Sequence, residues 1–208
     1  MSFRTSLFLL SSFYNNLPLL RIYYLKTFTG VLTMKQHIRS WQLAGFFFTS
    51  FAGTLLHFLF DWSGENLVVA LFSAVNESIW EHIKLLFYPM FLFAGIEHYF
   101  LGKEMQSFWC IKLKGALLGF VLIPAIYYSY TGMLGLSSDL FNVLIFFITA
   151  GIIYYMETKL LEKNRKCRLS SRDAFLCLCL IVLLFTVLTF SPPQIPFFRD
   201  PVQGTYGY

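Results

Sequence analysis

Two histidines and three carboxylates, His57, Asp61, Glu77, Glu81 and His82, crowd into one short stretch of a chain with only 4 His and 11 Asp or Glu among 208 residues. On a helical wheel Ser50, Thr54, His57 and Asp61 recur at i, i+4, i+7 and i+11, a narrow polar stripe with Gly53 beside it. In Asn76-Glu77-Ser78-Ile79-Trp80-Glu81-His82-Ile83-Lys84, the wheel puts Glu77, Glu81 and Lys84 on one face and Ser78 and His82 on another, about 100° away. Imidazole and carboxylate ligate zinc-like cations, and water on such a cation is a nucleophile at neutral pH. The set therefore supports a divalent-metal site with His57, Asp61 and His82 as ligands and Glu81 or Glu77 as general base, the constellation of a metal-dependent intramembrane hydrolase. No HExxH motif is present.

The same residues serve quieter purposes, and these come first. Asn76 suits an N-cap, Ser78 with Glu81 has capping-box spacing, and Glu81 can pair with Lys84 in a buried ion network. Asn76, Ser78, Lys84 and Asp200 also offer donors and acceptors to a small polar ligand. A third chemistry is a proton- or ion-coupled carrier with Glu81, His82 and Lys84 as relay groups. Glu97 and His98 read as an edge pair that meets Lys103 or a neighbouring helix end.

The elements that position these groups follow from composition. Hydrophobic residues make up 57% of the chain, charged ones 13%, and the mean hydropathy is +0.62. That is too apolar for a soluble domain, a disordered chain, a disulfide scaffold or a nucleic-acid module. Runs long enough to cross about 30 Å of hydrocarbon lie at 41–61, 78–100, 109–130, 139–158 and 174–191. The fold class is an all-α polytopic membrane bundle of about five transmembrane helices, with 66–75 as a short re-entrant or interfacial helix. Residues 1–33 read as a start-site extension ahead of Met34 or an amphipathic arm, 34–191 as the bundle, and 192–208 as an extracytoplasmic tail folded onto the outer face. Cys110, Cys167, Cys177 and Cys179 follow no metal spacing and read as buried apolar residues.

Charge sorts by side, although the net is only +5. Arg4, Arg21, Lys26, Lys35 and Arg39 precede the first span. Lys103, Lys112 and Lys114 flank the second connection, and Lys159, Lys163, Arg165, Lys166, Arg168 and Arg172 the fourth. That face should be cytoplasmic, with the N-terminus on it and the C-terminus opposite. Trp41 and Trp109 then mark the inner boundary, and Trp62 and Trp80 the outer one. The partner implied is the bilayer, with anionic headgroups at 159–172; nothing points to nucleic acid.

The segments His57-Phe58-Leu59-Phe60-Asp61-Trp62-Ser63-Gly64, Ala70 through Lys84, and Phe198-Arg199-Asp200-Pro201-Val202-Gln203-Gly204-Thr205-Tyr206-Gly207 resemble the motifs of a bacterial integral-membrane family of unknown function found in Firmicutes. The resemblance covers about 35–208 and implies a multi-pass protein of a bacterial plasma membrane, with no activity attached. A looser comparison is with seven-span metal hydrolases of the ceramidase and adiponectin-receptor type. Five spans and the lack of a third well-placed histidine depart from that pattern.

Overall fold

The computed structural model describes residues 18–163 and 166–208. Among them the structure is all-helical: α1 (Pro18–Trp62), α2 (Leu67–Ala70), α3 (Ile79–Phe100), α4 (Phe108–Leu134), α5 (Asp139–Lys163) and α6 (Ser171–Phe190), with 3-10 turns at Gly102–Glu104 and Pro196–Phe198. Five stretches are long and apolar enough to cross a membrane: Leu32–Trp62, Ile79–Phe100, Phe108–Leu134, Leu140–Lys163 and Ser171–Phe190. These are the five runs read from the sequence. The arm or extension expected at 1–33 falls partly outside the described residues; from Pro18 onward the backbone is helical. The unit from Trp41 to Tyr208 contains everything that follows.

Local chemistry sets the helix ends. Ser78 caps α3 by accepting the N–H of Glu81, and Ser170 caps α6 by accepting that of Asp173. Asn76, expected as the N-cap, instead accepts the N–H of Ser78 two residues on. Gly135 ends α4 at φ 67°, a left-handed position that glycine takes without strain. The expected re-entrant helix at 66–75 shrinks to the single turn α2, capped by the Asn66 side chain, because the chain turns at once toward Ser78.

Helix α4 packs against α3, α5 and α6. Phe185 of α6 is fully buried, its ring 4.7 Å from Trp80, 5.2 Å from Phe87 and 5.5 Å from Phe120. Trp80, expected at a membrane boundary, is only 4% exposed and also lies 5.0 Å from the ring of Phe198 in the C-terminal segment. Its indole is core because its face of α3 turns toward α6. Leu92, Val121, Leu180 and Leu183 stand exposed on the outside of the bundle, the pattern that a lipid solvent permits. Most of α6 faces outward in this way, and it is also the most apolar span, with a mean hydropathy of 2.6.

The cysteines do not all behave as apolar filler. Cys110 at the start of α4 is joined to Cys167 in the connection before α6 by a disulfide across 57 positions. Cys167 also donates its backbone N–H to the Ser107 hydroxyl. Spacing alone does not report such a pair, because its members meet only when α4 and the α5–α6 connection are brought together. Cys177 and Cys179 are free and half-buried.

Within lipid, packing rather than water exclusion holds helices together. Phe185→Ala, which removes the ring shared by three helices, is expected to lower unfolding stability by about 3–5 kcal/mol. Thermal unfolding of the protein in lipid nanodiscs measures it, and a loss under about 1 kcal/mol would show that the ring cluster is not central.

Candidate functional site

His57 on α1, His82 in the first turn of α3 and Glu77 just ahead of α3 converge. His57 Nε2 lies 3.7 Å from Glu77 Oε1, and His82 Nε2 lies 3.5 Å from Glu77 Oε2. The two imidazole rings are 5.6 Å apart, and one ligand atom from each of the three residues falls within 4.8 Å of the others. The wheel had placed Glu77 with Glu81 and Lys84. The helix begins only at Ile79, so Glu77 escapes that wheel and turns to His82. His82 Nδ1 sits 2.9 Å from the carbonyl oxygen of Ser78. A carbonyl only accepts, so Nδ1 carries the proton, and in the neutral ring Nε2 presents its lone pair toward Glu77 and His57. Asp61, expected as a ligand, stands exposed at the end of α1 and is not in the group.

A backbone contact one turn away positions the two histidines. Pro89 within α3 has no N–H to give to the Leu85 carbonyl. Gly53, one turn before His57, lies against that carbonyl: a Cβ at 53 would sit 2.9 Å from Leu85 O and would also meet the Phe146 ring. Only glycine allows α1 to approach so closely. Beside the histidines opens a cavity of about 670 Å³. Its polar rim carries His57, Glu77, His82, Ser137 and Asn142, and its wall carries Leu85, Phe146 and Phe147. Phe58 and Val143 border it and are 44% and 51% exposed. Tyr130 holds Asn142 by donating to its side-chain oxygen at 2.5 Å.

The other expected site residues build the frame. Asp200, 1% exposed, accepts the backbone N–H of Glu77 at 3.2 Å and those of Val202 and Gln203 at 2.6 and 3.0 Å. Asn76 donates to the Gly207 carbonyl at 3.1 Å, and Tyr208 N–H to that of Thr189 at 2.9 Å. The C-terminal segment is thereby tied to the residues that carry Glu77. Lys84 is fully buried. Its three ammonium hydrogens are accounted for by Glu81 Oε2 at 2.5 Å, the Ala70 carbonyl at 2.9 Å and Thr189 Oγ1 at 3.1 Å. Glu81, 1% exposed, also receives the Val75 N–H and the Thr189 hydroxyl. Both groups are spent on structure, and Glu81 does not line the cavity.

Three participants were missed in the sequence. Thr189 lies in the most apolar span and gave no signal. Lys112, counted with a basic connection, is 5% exposed and pairs with Glu97 and Glu157 at the opposite end of the bundle. Of the two partners expected for Glu97, it is the neighbouring helix end, through Lys112, and not Lys103 that meets it. An acid and a base at matching depths on neighbouring spans were the available clue.

Two substitutions test this frame. Lys84→Met leaves the buried Glu81 carboxylate without its counter-charge and is expected to cost about 3–5 kcal/mol of stability, read by thermal unfolding. Gly53→Ala forces α1 off α3 and should widen the His57–His82 separation, read by a double-label distance measurement on the two helices; an unchanged distance would refute the role given to Gly53.

No curated protein and no solved structure matches the chain. A family match covers nearly the whole bundle and the C-terminal segment, including all three converging residues. By that match, over residues 31–208, the chain belongs to DUF6512, a family of unknown function.

Proposed function

We propose that this is a multi-pass protein of a bacterial plasma membrane that binds a divalent transition-metal ion of the zinc class through His57, Glu77 and His82. The remaining coordination position opens to the adjoining cavity. One observation carries the reading: the nitrogen–oxygen separations of 3.7 and 3.5 Å within the group. These are too long for hydrogen bonds, which run to about 3.2 Å. With one Glu77 oxygen facing each histidine, each separation is close to the edge of a tetrahedron drawn around an ion with ligands at about 2.0–2.1 Å, roughly 3.4 Å; one atom from each residue lies within 4.8 Å of the others, so small side-chain rotations bring all three onto an ion. The His82 Nδ1–Ser78 contact supplies the outer hydrogen bond that orients a metal-bound imidazole.

Two histidines and one glutamate are also the ligand set of catalytic rather than structural zinc, which keeps a place for water. A cavity with a polar rim and an apolar wall suits a substrate whose reacting group reaches that water, and this favours metal-dependent hydrolysis over transport. The positive charge at the α5–α6 connection favours the cytoplasm for that end, anionic headgroups at 159–172 as its contact, and the extracytoplasmic face for the metal group.

Metal analysis of protein purified in detergent and supplied with zinc tests the site. Stoichiometric metal is expected in the wild type and in Asp61→Asn, and a loss of at least about tenfold in His57→Ala and in His82→Ala. Wild-type protein that stays metal-free, or histidine variants that load like wild type, would remove the basis of the reading.

A further inference from the structure

The end of the bundle opposite the histidines holds a second ionisable cluster, which shares no residue with the metal reading. Lys112 on α4 places Nζ 2.6 Å from Glu157 Oε2 on α5 and 2.7 Å from Glu97 Oε2 on α3. Glu97 and Glu157 are both 0% exposed. Gln42 on α1, 2% exposed, donates to Glu97 Oε1. The Tyr154 ring lies 5.6 Å from the ammonium, and its hydroxyl is hydrogen-bonded to Thr49. The charged groups that face one another here are therefore two carboxylates and one ammonium.

One ammonium neutralises one carboxylate. With both glutamates ionised the cluster would hold an uncompensated negative charge among packed helices, an arrangement that proteins relieve with a proton or a counter-ion. The void beside Lys112, lined by Phe87, Met90, Ala94 and Ala116, is only about 10 Å³. That is barely one water and leaves no room for a hydrated cation, whereas a proton needs none. A second observation agrees. Glu157 Oε1 and Gln42 Oε1 are buried acceptors with no donor, so the cluster lacks hydrogens rather than oxygens. The Lys84–Glu81 pair, with one acid for one base, has no such deficit.

The geometry points to a proton-binding site in which Glu97 and Glu157 share one proton over Lys112, leaving one carboxyl neutral and the triad without net charge. The proton belongs to the pair, since either glutamate can ionise against the lysine when the other is neutral.

Infrared spectroscopy of the full chain in lipid vesicles, above neutral pH where exposed carboxyls are ionised, is the test. The wild type should show the carbonyl stretch of a protonated carboxyl. Glu97→Gln and Glu157→Gln should each abolish it, because the remaining carboxylate then balances Lys112 alone. Each single variant should unfold within about 3 °C of wild type. The double variant, which strands the ammonium, should unfold roughly 10 °C lower. A wild type without the band overturns the proposal, and that measurement needs no variant to fold. So does a band that persists in both single variants, or a single variant as unstable as the double.

Discussion

An ammonium group taken out of water has three hydrogens to satisfy and a charge to balance, and the tail-bearing end of this bundle is arranged around one such group. Lys84 draws Glu81 from its own helix, the Ala70 carbonyl that closes α2 and the Thr189 hydroxyl of α6. Glu81 in turn takes the Val75 N–H, and Thr189 offers its carbonyl to Tyr208. The connection between α1 and α3 is thereby folded against the bundle and the C-terminal segment is laid across it. Glu77 hangs from that connection, its backbone held by Asp200, and so is delivered to the two histidines. Removing the buried charge would loosen the hold on Ala70, Val75 and the Thr189 hydroxyl together, because each of these ends on the Lys84–Glu81 pair.

The spans were legible because hydrocarbon thickness imposes a length that few other constraints imitate. The clustering of His57, Glu77 and His82 was only half legible. Both histidines stood out, but Glu77 was assigned to a helical face that does not exist at its position, because the Ser78 cap delays the helix by two residues. Asp61 looked like a ligand by its i, i+4 relation to His57, yet the next turn of α1 is already exposed. Trp80 looked like a boundary anchor because ring amphipathicity is visible in sequence, whereas the ring of Phe185 that buries it is far away in the chain. Lys112 and Glu97 were read as face charges because depth within a bundle depends on which helices surround a residue.

That last correction also changes the charge map. With Lys112, Glu97 and Glu157 withdrawn into the interior, the asymmetry rests on the connections proper, above all the one between α5 and α6. The Cys110–Cys167 disulfide lies at that same end, where a cytoplasmic setting would be reducing. Cys110 is 3% exposed at the buried start of α4, so a soluble thiolate has little approach to its sulfur. Exchange requires contact between attacking and attacked sulfur, and here the fold leaves the half-buried Cys167 as the approachable side of the bond.

The meeting of Gly53 with the Leu85 carbonyl carries a consequence for selectivity. Contacts between side chains yield by changing rotamer, but a contact between two main chains has nothing to rotate. The backbones that carry the histidine pair one turn away therefore stand at a separation that neither helix can adjust alone. A metal held there would be chosen by its radius, with small tetrahedral ions admitted and large, oxygen-seeking ones such as calcium refused.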